Sequence, residues 1–393
     1  MQDVVILSAA RTPVGSFQGA LAPLPAHTLG ARALAGAFER AGVEPGQVDQ
    51  VYMGCVLTAG QGQAPARQAT LGAGCPTSTG AITLNKVCGS GMRAVMSASN
   101  DLRCGDFSIA AAGGMESMSN APYLARGARD GLRLGHGRLI DSMIHDGLWD
   151  PYNDQHMGNC AEACVREYSF TREAQDDYAR ESYERARRAS KEGIAEREIV
   201  PVEVPRRKGD PKLVERDEEP FRADLEKMPK LRPAFEKEGT VTAANASKIN
   251  DGAAALVLTT ADRAGELGLE PIARIVAHAT TARDPEWFTT APIGSTRAVL
   301  ERAGLTVEEI DLFEINEAFA AVAMAAMEDL EIPHEKLNVL GGAVALGHPI
   351  GASGARILVT LLNALEQRDG RLGCAAICLG GGEATAMIVE RLG

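Results

Sequence analysis

Aromatic residues are scarce, at 4% of the chain, and no run reaches the roughly 18 apolar residues that a membrane-crossing helix needs. The start has no basic stretch leading into an apolar core, which argues against a secretory signal; Asp3-Val4-Val5-Ile6-Leu7 reads as a strand instead. There is no excess of positive charge. A net charge of −12 argues against a nucleic-acid partner, and an anionic ligand would have to be held by local donors against the overall field. The eight cysteines lack framework spacing and lie among apolar residues or glycines, as expected of reduced thiols in a cytoplasmic protein. Cys160 and Cys164 stand one helical turn apart with no third and fourth ligand nearby, so they read as packing, not as a metal site.

The chain is instead rich in small residues, with 42 glycines among 393 residues, enough length for two or three units of ordinary size. Apolar β-branched runs alternate with helical patterns, which points to α/β architecture. The chain also repeats itself. Phe38-Glu39-Arg40-Ala41-Gly42-Val43 matches Leu300-Glu301-Arg302-Ala303-Gly304-Leu305 at an offset of 262 residues. Ser90-Gly91-Met92-Arg93 matches Ser353-Gly354-Ala355-Arg356 at 263, and Ile109 through Gly114 echoes Ile377 through Gly382 at 268. Three matches in one order imply two copies of one α/β unit. The expected halves are 1–118 with 246–270, and 271–393. The intervening 119–245, rich in Pro, Arg and Glu, reads as an inserted loop domain with one charged helix over Arg172–Glu192.

Reactive side chains sit in glycine-rich segments. Cys88, in Val87-Cys88-Gly89-Ser90-Gly91, precedes a helix that ends before Gly105, and unpaired N–H groups at such a start favour a thiolate. The Gly-Ser-Gly string is no dinucleotide fingerprint, lying far from the first strand with no acidic residue ending a following one. His348 lies in Gly347-His348-Pro349-Ile350-Gly351, presented by an extended backbone at another helix start; no Lys-Ser or Lys-Thr follows, so this is not a phosphate loop. Cys378 ends a strand before Gly380-Gly381-Gly382, where a second thiol and the Gly380 N–H are available for acid–base and oxyanion roles. Asn316, after the strand at Ile310–Phe313, either caps a helix or positions a water.

These blocks, with Asn316-Glu317-Ala318-Phe319, Ala9-Ala10-Arg11-Thr12-Pro13 and Gly113-Gly114-Met115-Glu116, resemble the motifs of the thiolase family over essentially the whole chain. His156-Met157-Gly158 resembles the biosynthetic, acetoacetyl-CoA type. The resemblance implies two similar halves in a five-layered αβαβα core, with the insertion binding CoA. It implies that Cys88 is acylated, His348 activates it, and Cys378 exchanges a proton with the second acetyl-CoA. Asn316 with a water beside His348 would form one oxyanion hole, and the N–H groups of Cys88 and Gly380 the other. Substrates would be acetyl-CoA, acetoacetyl-CoA and CoA, with no metal or redox cofactor, in a homotetramer. Leu148, His156, Met157, Phe235, Ala243, Ser247, Phe288, Ala318 and Phe319 would surround the substrate, with Phe288 limiting acyl length. A 3-ketoacyl-CoA thiolase of broader chain length is the alternative. A ketoacyl synthase of type III lacks the second thiol, and a lipid-carrying relative would be expected to lose a reactive residue. Two departures stand out: Lys248 follows Ser247 where glycine is usual, and Arg222 is displaced from the position of an adenine-binding arginine. Arg206-Arg207-Lys208 reads as a solvated turn.

Overall fold

The strand that opens the chain, Val4–Arg11, lies at the middle of the molecule, where it joins two half-sheets. The computed structural model describes residues 2–393. From one edge to the other the strands run Leu312–Ile315, Leu372–Leu379, Glu383–Arg391, Ala273–Ala282, Val4–Arg11, Asn250–Thr260, Ile109–Ser117, Gln50–Gly54 and Gly80–Leu84. The seam between Val4–Arg11 and Ala273–Ala282 is short: Val5 faces Arg274 and Ile6 faces Ala273.

On either side of that seam the topology is the same. In the first half Val4–Arg11 pairs antiparallel with Asn250–Thr260, that strand antiparallel with Ile109–Ser117, and that one parallel with Gln50–Gly54; Ala273–Ala282, Glu383–Arg391, Leu372–Leu379 and Leu312–Ile315 pair in the same way in the second, and Gly80–Leu84 is an extra edge strand of the first half. Even the register irregularity recurs, between Ile6 and Ser8 in one half and between Ile275 and Ala277 in the other. The helix ends repeat too. Helix Ala26–Ala41 stops at Gly42 (φ 63°) and helix Ala291–Ala303 stops at Gly304 (φ 67°). Both glycines take the left-handed conformation that closes a helix at no steric cost. The repeated Glu-Arg-Ala-Gly string is thus a repeated helix cap.

Helices Ser90–Cys104 and Ile350–Gln367 lie side by side between the half-sheets, while Ala26–Ala41 and Ala291–Ala303 cover the outer faces. That order of layers is the αβαβα arrangement. The middle pair meets through the matched glycines. A β-carbon on Gly91 would stand 2.7 Å from the Ala355 nitrogen, and one on Gly354 would stand 2.5 Å from the Met92 nitrogen. Residues at equivalent places in the repeat thus touch across a local two-fold relation, and only glycine permits the approach.

The insertion contributes helices Met157–Glu167 and Arg172–Lys191, the latter capped by Thr171, whose hydroxyl accepts from the Ala174 N–H at 3.1 Å. Cys160, Cys164 and Tyr178 share one hydrophobic cluster with Phe313, Val322 and Ile388 of the second half, so the apolar face of the insertion is buried against that half. Arg11 ties the insertion to the first half: it is 1% exposed and bonded to Glu198 (2.5 Å) and Asp217 (2.7 Å). Arg206, Arg207 and Lys208 are exposed in the turn between strands Val202–Val204 and Lys212–Val214. Among the described residues no group of three or more His, Cys, Asp or Glu is disposed to hold a metal ion, and no helix is long and apolar enough to cross a membrane.

Candidate active site

Cys88 sits on a sharp bend between strand Gly80–Leu84 and helix Ser90–Cys104. Its neighbour Val87 has φ 45°, a left-handed conformation that costs a β-branched residue about 1–3 kcal/mol. The surroundings hold it there. The Val87 N–H donates to Asn85 Oδ1 at 2.9 Å, the Ser90 hydroxyl donates to the Val87 carbonyl at 2.6 Å, and the Lys86 N–H donates to Ser90 Oγ at 2.8 Å. Lys86 also pairs with Glu383 at the start of the last strand. Strained backbone held by redundant bonds is how an active site fixes the aim of a side chain.

The Cys88 thiol receives the N–H groups of Gly380 and of Cys88 itself, and burial nevertheless pushes its pKa up to about 12. This corrects the expectation that the helix start leaves a thiolate. Loss of water disfavours the anion by more than the local donors favour it. At neutral pH the sulfur carries its proton and requires a base.

His348 supplies one. Its Nδ1 lies 2.6 Å from Ser353 Oγ, and the Ser353 hydroxyl donates its proton to the Pro349 carbonyl at 2.9 Å. The serine has no second proton, so Nδ1–H must be the donor and Nε2 keeps a free lone pair. Nε2 is buried with no partner among the described residues. Burial first, and Arg356 second, lower the His348 pKa to about 3, so the ring is neutral. The backbone is fixed as well: the His348 N–H donates to Asn250 Oδ1 at 2.9 Å.

Asn316 is 1% exposed, and neither its Oδ1 nor its Nδ2 meets a partner among the described residues. It therefore does not cap the helix that begins at Ala320, whose N-cap is Phe319. An unpaired buried amide costs about 1–3 kcal/mol, which marks a place for a ligand or water. Its neighbour Glu317 anchors the segment, accepting from Tyr178 (2.9 Å), Ser182 (2.8 Å), Asn338 (2.9 Å) and the Val344 N–H (3.0 Å). Cys378 is fully buried near the end of strand Leu372–Leu379; burial first, and the nearby Cys88 sulfur second, raise its pKa well above the ordinary thiol range.

A cavity of about 480 Å³ opens onto Cys88, His348 and Gly380. Its walls include Leu148, His156, Met157, Phe235, Ala243, Ser247, Phe288, Ala318 and Phe319, all the residues expected around a substrate. Cys378 and Asn316, both buried, are not among the lining residues. Four rings form one wall: His156 stacks on Phe235 at 4.9 Å, Phe235 meets Phe319 edge-on at 6.0 Å, and Phe319 meets Phe288 at 6.4 Å. His156 also caps helix Met157–Glu167, its Nδ1 accepting from the Gly158 N–H at 3.0 Å. Arg222, Glu219 and Lys248 line the cavity; Arg206, Arg207 and Lys208 do not. A second cavity, of about 300 Å³ between Arg197 and Arg391, contains no nucleophile.

Sequence reasoning missed Ser353, Asn250 and Glu116. Glu116 accepts the N–H groups of Val56 (3.0 Å), Leu57 (3.2 Å) and Gly351 (2.9 Å), binding the first turn of the His348 helix to the Ile109–Ser117 strand. Burial raises its pKa to about 7. Both Ser353 and Glu116 stand inside recognisable motif blocks, and only their contacts reveal what they do.

Known proteins share this fold over its full length. Residues 4–262 match the model of the thiolase N-terminal domain, and residues 269–391 that of the thiolase C-terminal domain. The acetyl-CoA acetyltransferase of Cupriavidus necator is 53% identical over 392 residues, covering all of both chains. Acetyl-CoA acetyltransferase 2 of Arabidopsis thaliana is 52% identical, with all of this chain and 98% of that one aligned. The crystal structure of Acat5 thiolase from Ascaris suum in complex with coenzyme A superposes with a TM-score of 0.94 at 44% identity over the full length of both. That of the Bacillus anthracis acetyl-CoA acetyltransferase gives 0.97 at 41%, covering all of this chain and 99% of that one.

Proposed function

The chain belongs to the thiolase family, and from that premise we infer that it is an acyltransferase interconverting two acetyl-CoA with acetoacetyl-CoA and CoA. The reading rests above all on one observation: the Cys88 thiol, held by the N–H groups of Gly380 and of Cys88 itself, lines one cavity with His348, whose Nε2 meets no partner among the described residues.

In the first half-reaction Cys88 Sγ attacks the thioester carbonyl, and His348 Nε2 takes the thiol proton. CoA leaves as a thiolate and takes its proton from Cys378, which leaves Cys378 a thiolate and His348 protonated. The N–H groups of Cys88 and Gly380 meet the charge that develops on the thioester oxygen, where one such donor is worth about 3 kcal/mol. In the second half-reaction the Cys378 thiolate takes a proton from the methyl of another acetyl-CoA. The resulting carbanion attacks the acetyl-Cys88 carbonyl, and the Cys88 thiolate departs and recovers its proton from His348. Asn316, through a water beside His348 Nε2, would hold the enolate oxygen. In thiolysis the steps reverse, and Cys378 then acts as an acid, a role for which its raised pKa suits it. No oxidation state changes in either direction, so proton transfer and charge stabilisation suffice, and we assign no metal or redox cofactor.

The aromatic wall that includes Phe288 favours the short acetoacetyl group over longer 3-ketoacyl chains. We further propose a homotetramer. Strand Gly80–Leu84 ends the sheet with its outer edge unpaired and Ile82 44% exposed, and Leu132, Leu134 and Leu139 are exposed beside the small sheet of Tyr123–Leu124 and Ile140–Asp141. Edges and patches of this kind are commonly covered by further copies. A cytoplasmic location fits an enzyme that needs two thiols kept reduced.

The test is covalent. Brief mixing with acetyl-CoA is expected to add one acetyl group per chain on the peptide containing Cys88, with none on Cys88→Ala. An adduct confined to Cys378 would reverse the assignment of the two thiols.

A further inference from the structure

Lys248 is a cationic side chain in a cavity wall that also carries Glu219 and Arg222. It lines the cavity beside Ser247, and its Nζ donates to two backbone carbonyls, that of Ala246 at 2.7 Å and that of Val344 at 3.1 Å. The ammonium also lies 5.5 Å from the centre of the Tyr183 ring, a residue 1% exposed. Carbonyl oxygens and a ring face are neutral partners that favour a cation without cancelling its charge. Loss of water at this site brings its pKa down to about 8, so the group is mainly charged at neutral pH.

The two carbonyls belong to different walls. Ala246 lies in the segment that runs along Phe319: Ala246 bridges Phe319, and the Ser247 N–H donates to the Ala318 carbonyl at 3.0 Å. Val344 belongs to the short helix Ala343–Leu346, four residues ahead of His348, and its own N–H is held by Glu317 at 3.0 Å. Without a cation, the Ala246 and Val344 carbonyls would converge on empty space with their negative ends facing each other.

We propose that Lys248 is a positioning residue for the acyl transfer: a built-in cation that locks the Ala246–Ser247 wall to the turn carrying His348 and so sets the width of the thioester pocket. The inference rests on the function proposed above. Its chemistry differs from that of the reacting groups, since Lys248 moves no proton and touches neither Cys88 nor His348.

The test compares Lys248→Met, which fills the same volume without charge, with Lys248→Ala, which leaves the carbonyls facing a gap. Thiolysis of acetoacetyl-CoA is followed at a series of substrate concentrations. We expect kcat/KM to fall by about tenfold or more in both variants, carried mainly by KM, because a shifted wall misplaces the thioester. Ammonium chloride at tens of millimolar should restore the alanine variant in a saturable manner and leave the methionine variant unchanged. Tetramethylammonium chloride, too large for the gap, should restore neither. Wild-type KM in Lys248→Met would overturn the proposal, as would an alanine-variant defect that ammonium does not relieve. Acetylation of Cys88 by acetyl-CoA in the wild-type chain, measured in parallel, tests the functional reading by itself.

Discussion

His348 Nδ1 lies 2.6 Å from Ser353 Oγ, five residues on in the same chain, and that contact selects the tautomer with a proton-accepting Nε2. The helix start makes the pair possible, since the first turn of Ile350–Gln367 returns Ser353 beneath the imidazole. Ser353→Ala removes both the acceptor and the hydroxyl bonded to Pro349. We expect kcat/KM to fall by about tenfold or more in both directions. Stability should change by only about 1 kcal/mol, the net worth of a hydrogen bond. Steady-state kinetics and a urea titration on one preparation separate the two effects; an unchanged kcat/KM would mean that another contact selects the tautomer.

The two thiols and the histidine are separable by step. Cys378→Ser should still acquire acetyl on Cys88 in rapid mixing, yet condense at least about a hundredfold more slowly, as expected when a general acid–base group is lost. His348→Asn should slow acylation and condensation alike, since Nε2 is the base for Cys88 and would share the enolate-binding water with Asn316. Quenched-flow mass spectrometry reads both. Full thiolysis in either variant would end this assignment.

The raised pKa of Cys88, about 12, carries a sign that alkylation can read. Below that value the thiol keeps its proton, so the thiolate fraction grows about tenfold for each unit of rising pH. His348, near 3, stays neutral throughout and offers no cation to stabilise the thiolate. Iodoacetamide should therefore modify Cys88 in the free enzyme at a rate still climbing between pH 7 and about 9. A plateau beginning below pH 7 would show that a thiolate–imidazolium pair exists at rest.

Phe288 is 3% exposed and serves two masters: it borders the cavity and packs in the cluster with Phe319 and Ile293. Phe288→Ala should cost about 3–5 kcal/mol of stability, as for other buried aromatic truncations. It should also shift selectivity towards longer 3-ketoacyl-CoA by about tenfold or more, since each misfit methylene is worth about 1–3 kcal/mol. Competing C4 and C6 substrates in thiolysis measure the shift. Stability loss with unchanged selectivity would assign Phe288 to the core alone.

Much of this molecule could be read from its sequence, for reasons that are local. The Glu-Arg-Ala-Gly repeat is visible because Gly42 and Gly304 close helices in the same left-handed conformation, a demand set by their own backbone. The Ser-Gly repeat is visible because Gly91 and Gly354 must admit each other's helices. Cys88, His348 and Cys378 were marked by the turns and glycines beside them. Tertiary structure decided what their environment does to them. Helix-start geometry predicted a thiolate at Cys88, but desolvation depends on what other segments cover the sulfur, and here it outweighs the local donors. Asn316 had a local reading as a cap; packing of Glu317 against Tyr178, Ser182 and Asn338 instead left its amide unpaired. Lys248 read only as an irregular substitution, because the Val344 carbonyl that gives it a purpose lies 96 residues away along the chain. Sequence carries the turns, caps and repeats, whose causes lie within a few residues. Protonation states and cross-wall contacts follow from which distant segments exclude water together, and only the folded chain settles that.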